Sequence, residues 1–337
     1  MRDNAQMSNL EDRPAELDCA AAPALGVEIM TPREVPLGGP RAMSVRRTLP
    51  QRDRSLIGAW CFVDHYGPDD VAITGGMKVP PHPHTGLQTV SWLFTGEIEH
   101  RDSAGNHAMI RPGEVNLMTA GRGISHSEVS TGATSTLHGA QLWVALPSAD
   151  RFAEPGFAHH APSPVRGPGY EARVFLGSLL GDTSPVTTYT PLLGAELLLE
   201  PGTTLVLDVD PTFELGVLVD AGMLRVAGVD AKPGDLAFVP PGSTTLTLIA
   251  RTEPARLLLL GGPPFGESII MWWNIVARSH EEVVEWRAEW QRQITRAGSV
   301  VDDSQDVADG RFGVVLGDHL PPIPAPPLPN ARLRERR

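Results

Sequence analysis

Cysteine is nearly missing from this chain: Cys19 and Cys61 are the only two in 337 residues. That scarcity argues against a disulfide framework and against a cysteine-ligated zinc or iron–sulfur centre, and it fits a reducing compartment. Long apolar runs are missing too. No stretch of about 18 apolar residues is present, so no membrane-spanning helix is expected. The opening "MRDNAQMSNLEDRPAELDCAAAPALG" has acidic residues spread through it and no continuous apolar segment, so it does not read as a secretory signal. A cytoplasmic protein is expected. Basic charge is in deficit, with 28 Lys and Arg against 40 Asp and Glu and a net charge of -12. This balance disfavours direct nucleic-acid binding or attachment to anionic lipid as the main activity.

Helical periodicity is the remaining shortage, and what fills its place is turn chemistry. Thirty-four glycines and 32 prolines separate short apolar runs such as "LQTVSWLFTG", "EVNLMTAG", "TLHGAQLWVAL", "TTLVLDVD" and "ARLLLLGG". Many short strands joined by turns predict an all-β protein. The exception starts at Ser279, where Ser279 and Glu282 form a capping-box pattern ahead of Val283, Trp286, Trp290 and Ile294 on one helical face. A helix over 280–296 is expected there.

The length suits two lobes, and "APSPVRGPG" (161–169) has the composition of a connector between them. The segment "GEIEHRDSAGNHAMIRPGEVNLMTAG" has a shortened echo in "GMLRVAGVDAKPGDLAFVPPG", with nine positions from Pro112 to Gly121 and from Pro233 to Gly242. The expected organisation is a flexible tail over 1–26, a first barrel over 27–160, a second over 170–300 carrying the helix, and a tail over 301–337. That last stretch, with "LPPIPAPPLPNARLRERR", reads as polyproline-like, then basic, and loosely ordered.

Chemistry concentrates in "PPHPHTG" (80–86) and "GRGISHSE" (121–128). In a strand, side chains alternate faces, so His82 and His84 share one face, as do His126 and Glu128. Prolines stiffen the first pair and confine it to an edge or a barrel mouth. Three imidazoles and one carboxylate suit a borderline divalent ion with positions left open for substrate, water or dioxygen. Iron(II) fits best, with manganese, nickel, copper or zinc permitted by the donors.

The stretch "HPHTGLQTVSWLFTGEIEHRDSAGNHAMIRPGEVNLMTAGRGISHSE" (82–128), with "RRTLP" (46–50), "DHYGP" (64–68) and "PPFGESIIMWWN" (263–274), resembles the pirin family of two-barrel cupins. The resemblance implies two cupin (jelly-roll) barrels side by side. It implies one iron in the N-terminal barrel, on ligands corresponding to His82, His84, His126 and Glu128. It also implies either a dioxygenase acting on a flavonol such as quercetin, with Glu128 as the nearest proton acceptor, or an iron-dependent regulator that binds a transcription factor or metabolic enzyme. A zinc hydrolase or sugar isomerase on the same barrel is the weaker alternative.

Other residues are placed more coarsely. Gln88, of the same parity as His84, is expected to face the barrel, at a place where many relatives carry glutamate; His100 is expected beside Asp102 and behind the ligands. His65, His107 and His138 read as ordinary strand histidines. In the second lobe Asp208, Asp210, Thr245 and Thr247 fall near the positions of the ligands, which gives no metal-binding set. "HEEVVEW" from His280 lacks the second histidine of a zinc-protease helix, and "GRGIS" lacks the third glycine of a dinucleotide loop.

Overall fold

The structure, a computed structural model, describes residues 26–37, 43–297 and 310–333. Most of the expected N-terminal tail and the basic end beyond Leu333 lie outside these residues. Two β-barrels account for nearly all the secondary structure, as the turn-rich sequence predicts.

The first barrel is built from β2 (Arg33–Leu37), β3 (Met43–Leu49), β4 (Trp60–Asp70), β5 (Lys78–His84), β6 (Leu87–Thr95), β7 (Ile98–Asp102), β8 (His107–Ile110), β9 (Val115–Thr119), β10 (Ile124–Ser130), β11 (Thr136–Ala145) and β12 (Gly156–His160). Seven of these form a sheet in the order β12-β9-β6-β11-β4-β3-β2, and four form a facing sheet, β5-β10-β7-β8. A one-turn helix, α1 (Val71–Thr74), follows β4, capped by the Asp70 carboxylate.

Strand alternation gives the larger sheet two unlike faces. Ladder partners such as Phe62 and Trp143, Asp64 and Gln141, and Gln141 and Ser91 share the face turned into the barrel. Val90, Trp92, Leu117, Ala140, Leu142 and Val144 lie on the other face, where they pack with Phe175, Leu218, Leu258 and Leu260 of the second barrel. The interface between barrels is therefore a second hydrophobic core.

The second barrel repeats the plan. Its seven-stranded sheet runs through Leu236–Val239, Glu214–Ala221, Ala255–Gly262, Leu193–Leu199, Tyr170–Leu176 and Val165–Gly167, and its four-stranded sheet through Thr204–Asp208, Thr245–Ala250, Leu224–Val226 and Val229–Ala231. Two details depart from the expected division of the chain. The first strand, β1 (Glu28–Met30), pairs with Leu236–Phe238 and so belongs to the second barrel's sheet, with Met30 buried between the barrels. Val165–Gly167, inside the expected connector, is a strand paired with Tyr170–Ala172.

Helix α2 (His280–Ala297) starts where the capping pattern predicts, with Ser279 Oγ accepting from Glu282 N at 3.2 Å. Its Val283, Trp286 and Trp290 are buried against the first barrel's outer core.

The C-terminal segment corrects the sequence reading. Residues 310–333 are not loose: Phe312, Val315, Ile323 and Leu333 are buried. Ile323 N donates to Pro81 O at 2.9 Å, Trp290 Nε1 donates to Ile323 O at 2.8 Å, and Arg311 Nη1 donates to Arg122 O at 2.7 Å. Prolines here preset an extended course without needing donors, so widely spaced apolar residues suffice to strap the segment across the backs of β5 and β10. Composition showed the lack of a helix or strand but not the apolar groove that receives it.

Candidate metal centre

β5 and β10 lie side by side, and His82 is the ladder partner of His126. Their alternation turns His82, His84, His126 and Glu128 into one cavity between the sheets, shared with Val45, Phe62, Asp64, Tyr66, Met77, Val79, Gln141 and Trp143. All four are buried. One nitrogen from each histidine can be chosen so that the three lie within 4.8 Å of one another. Glu128 meets the same criterion with His126 and His100, so His126 is common to both groups.

Tautomers are set by what holds the rings from behind. His82 Nδ1 lies 2.9 Å from Pro80 O, and His84 Nδ1 lies 3.1 Å from Asn274 O. A carbonyl only accepts, so each Nδ1 carries the proton and each Nε2 keeps its lone pair for the cavity. His126 is held differently, by His100 Nδ1 at 3.4 Å, while His100 Nε2 lies 3.2 Å from Asp102 Oδ2. The consistent proton order is His126 Nδ1–H towards His100 and His100 Nε2–H towards Asp102. Asp102 is fixed in turn by the backbone N–H groups of Ala104 and Asn106 and by the Asn106 side chain. His126 Nε2 is buried with no hydrogen-bond partner among the described residues.

Electrostatics favour the metal-ready state. Burial lowers His82 to about 4 and pulls His84 and His126 well below the ordinary imidazole value, helped by their mutual repulsion. All three stand neutral near pH 7 and do not compete with protons for a cation. Burial also raises Glu128, partly offset by His100 and by Ser91. Ser91 Oγ sits 3.2 Å from Glu128 Oε1 and 2.9 Å from Gln141 Oε1, so its single hydrogen serves one of them at a time. Neutral imidazoles, an orphaned Nε2 and a carboxylate that gains by facing a cation together fit a divalent metal. The cavity itself is small, about 30 Å³. That space suits an ion with one or two water-sized ligands.

Gln88 is a correction. It lies on the opposite face of β6 from Ser91, with its Nε2 donating to Thr119 Oγ1 at 2.9 Å, and does not line the cavity. The cause is Gly86, whose φ of +74° turns the chain between β5 and β6 and resets the strand parity. A Cβ there would stand 2.1 Å from Val276 O, so only glycine makes this turn. His100 does sit behind His126, packed on Phe157. His107 stays exposed and bonds Glu99 at 2.7 Å.

Sequence reasoning missed the wall opposite the histidines. Phe62 and Trp143 stack at 4.0 Å, Trp143 meets the His84 ring edge-on at 5.1 Å, and Arg47 lies over Phe62. Arg47 Nε and Nη2 grip the Asp64 carboxylate at 2.7 and 2.8 Å. Period-two reading of "FVDHY" from Phe62 would have put Phe62, Asp64 and Tyr66 on one face.

It also missed a second buried cluster, between the barrels. Asp220 Oδ1 accepts from His65 Nε2 at 2.7 Å and from His138 Nε2 at 2.6 Å, and its Oδ2 accepts from Arg256 at 2.6 Å. Arg46 Nη2, 3.2 Å from His65 Nδ1, fixes His65 as the Nε2–H tautomer. One guanidinium on the carboxylate, from Arg256, and another on the far side of His65, from Arg46, make this a hydrogen-bonded latch rather than a cation site, although its His65, His138 and Asp220 side chains are close enough to share an ion.

Fold and cavity together define a two-barrel cupin protein with a candidate metal centre in its first barrel. Residues 42–144 match the Pirin family model, and residues 194–295 match the pirin C-terminal cupin domain. The chain belongs to the pirin family. It is 41% identical over 328 residues to a Pseudomonas aeruginosa protein named "Putative quercetin 2,3-dioxygenase", covering 96% of this chain and 98% of that one. It is 38% identical over 259 residues to a pirin-like protein of Caulobacter vibrioides, covering 73% and 88%. The crystal structure of a quercetin 2,3-dioxygenase from Acinetobacter baumannii superposes with a TM-score of 0.83 at 35% identity, covering 92% of this chain and 98% of that one. Among the described residues no helix is long and apolar enough to cross a membrane.

Proposed function

We propose that this chain is a metal-dependent dioxygenase of the pirin type that cleaves a flavonol such as quercetin, with one iron(II) held by His82, His84, His126 and Glu128. The observation that carries the reading is the buried set of three neutral imidazoles and one carboxylate, in a chain 41% identical to a protein named for that activity. Manganese, nickel, copper or zinc would use the same donors. The bound ion would supply Lewis acidity to an ionised substrate oxygen and a meeting point with dioxygen. The protein's own part is to hold the imidazoles in one tautomer, exclude water by burial, and offer Glu128, once ionised, as a proton acceptor beside the ion. The stacked Phe62 and Trp143 give the cavity an aromatic side that suits an aromatic substrate.

A flavonol is larger than a space of about 30 Å³, and small-molecule pockets usually run to about 300 Å³ or more. Substrate entry therefore requires the cavity lining to give way, and Met77 is its most adaptable apolar member. The same tightness favours a second reading, an iron-dependent regulator that binds a transcription factor or metabolic enzyme without turnover. Iron-loaded protein mixed with quercetin in air separates them: oxygen uptake with carbon monoxide release is expected, and a full iron site with no turnover sinks the flavonol reading. Partners captured from extract and lost in His84→Ala would then support regulation.

A further inference from the structure

Beside the candidate ligand His126, Tyr66 is a member of the cavity whose buried polar atom has no partner among the described residues. The side chain is fully buried on β4, and Oη has no hydrogen-bond partner among the described residues. Its polar neighbours are already engaged: both Asp64 oxygens are gripped by Arg47, and Glu128 Oε1 faces Ser91. Val45, Met77 and Val79, also lining the cavity, are apolar. A phenylalanine would satisfy such packing without leaving a hydroxyl stranded. Burial, reinforced by Glu128 and Asp64, pushes the phenol well above its ordinary value of 10, so the hydroxyl remains a donor.

We infer that Tyr66 Oη is the hydrogen-bond donor to the exogenous ligand that completes the coordination of an ion held by His82, His84, His126 and Glu128, selecting ligands that place an anionic oxygen or nitrogen there. The inference rests on the metal half of the proposed function and not on the flavonol half. Gln141 and Trp143 also carry N–H donors in the lining, but Tyr66 Oη is the lining hydroxyl, it offers a proton without being a candidate metal ligand, and an anion bound to a cation is a stronger acceptor than a neutral one. The cavity volume of about 30 Å³ matches a ligand of two or three atoms beside the ion.

Tyr66→Phe tests this in two states. In the metal-free protein the variant should melt at the same temperature as the parent or higher, because it deletes an unpaired buried hydroxyl; a fall of several degrees would reveal a structural partner and overturn the inference. In cobalt(II)-loaded protein, titrated with azide and followed by its visible spectrum, the variant should bind azide about tenfold more weakly at equal cobalt content, the loss expected for one charge-assisted hydrogen bond. Equal azide affinity overturns the inference, as does failure of the parent to take up cobalt. A parent that ignores quercetin but whose azide affinity depends on Tyr66 sinks the flavonol reading alone. Quercetin turnover with azide binding indifferent to Tyr66 sinks this inference alone.

Discussion

The two barrels share a strand plan and differ in what they point inward. In the first, the inward face carries His82, His84, His126, Glu128, Asp64, Tyr66 and Gln141 around a cavity. In the second, Leu197, Leu207, Val217, Leu246, Leu248 and Leu257 close the interior into an apolar core. The polar residues whose spacing in the second half matches that of the candidate ligands all miss that interior. Asp208, Asp210 and Thr245 are exposed, and Asp210 is spent on a turn, accepting from Thr212 N at 2.8 Å. The strand Thr204–Asp208 alternates exposed and buried, so its aspartate points to solvent while Leu205 and Leu207 point in. One barrel architecture can thus enclose a polar cavity or serve as a buttress, and side-chain parity makes the choice.

The sharpest way to break this contrast is to delete one inward residue from each barrel. His126→Ala should abolish stoichiometric metal binding, measured by metal analysis after dialysis, while leaving the second core intact. Leu248→Ala should leave the metal content unchanged and cost about 2–5 kcal/mol in denaturant unfolding, the usual range for a leucine truncated in a core.

A smaller effect is expected where the two barrels are joined. Asp220→Asn strands His65, His138 and Arg256 around a neutral group and should cost about 3 kcal/mol. Although burial opposes it, hydrogen bonds from His138 and His65 hold the Asp220 carboxyl well below the usual carboxylate range. Its contribution is therefore present above the unfolded value of about 3.9 and is lost as pH falls through the folded one. His65 adds a second slope of the same direction. Burial lowers its pKa against the pull of Asp220, with Arg46 adding to the fall, so below about 6.5 the unfolded chain takes up a proton that the folded one resists. Melting temperatures measured from pH 3 to 7 should fall towards acid in the parent; in Asp220→Asn the fall below about pH 4 should be shallower, while the His65 slope below about 6.5 persists or steepens because the pull of Asp220 is gone, and parallel curves below about pH 4 would show that the latch does not link the barrels.

The smallest change concerns how His126 differs from its two companions. Asp102→Asn weakens the Asp102–His100–His126 chain without touching a ligand and should lower metal affinity about tenfold in competition with a chelator. An unchanged affinity would mean that His126, like His82 and His84, needs only a passive brace.

Period-two alternation made the four candidate ligands readable, because it depends on nothing beyond the strand itself. They share a cavity even though the β10–β5 register shifts between His126 and Glu128. Gln88 was misread because a single glycine conformation between strands reset the parity that the sequence spacing assumed. Asn274, 190 positions from His84 in the chain, was invisible as its partner because a backbone carbonyl has no residue type. His65 and His138 looked ordinary because what makes them unusual, Asp220, belongs to the other barrel. The motif "PPFGESIIMWWN" gains a physical account from the fold: it ends at Asn274, whose carbonyl orients His84, and Thr85 pairs with the following Ile275.

That remote carbonyl also has a meaning in time. A ribosome releases the first barrel's histidines long before it makes Asn274 or the strap that ties Ile323 to Pro81. His82 finds its carbonyl two residues away, and His126 its imidazole within the same barrel, whereas His84 has to wait for the rest of the polypeptide. A nascent chain carrying only the first barrel would therefore hold His82 and His126 but lack the carbonyl that aims His84.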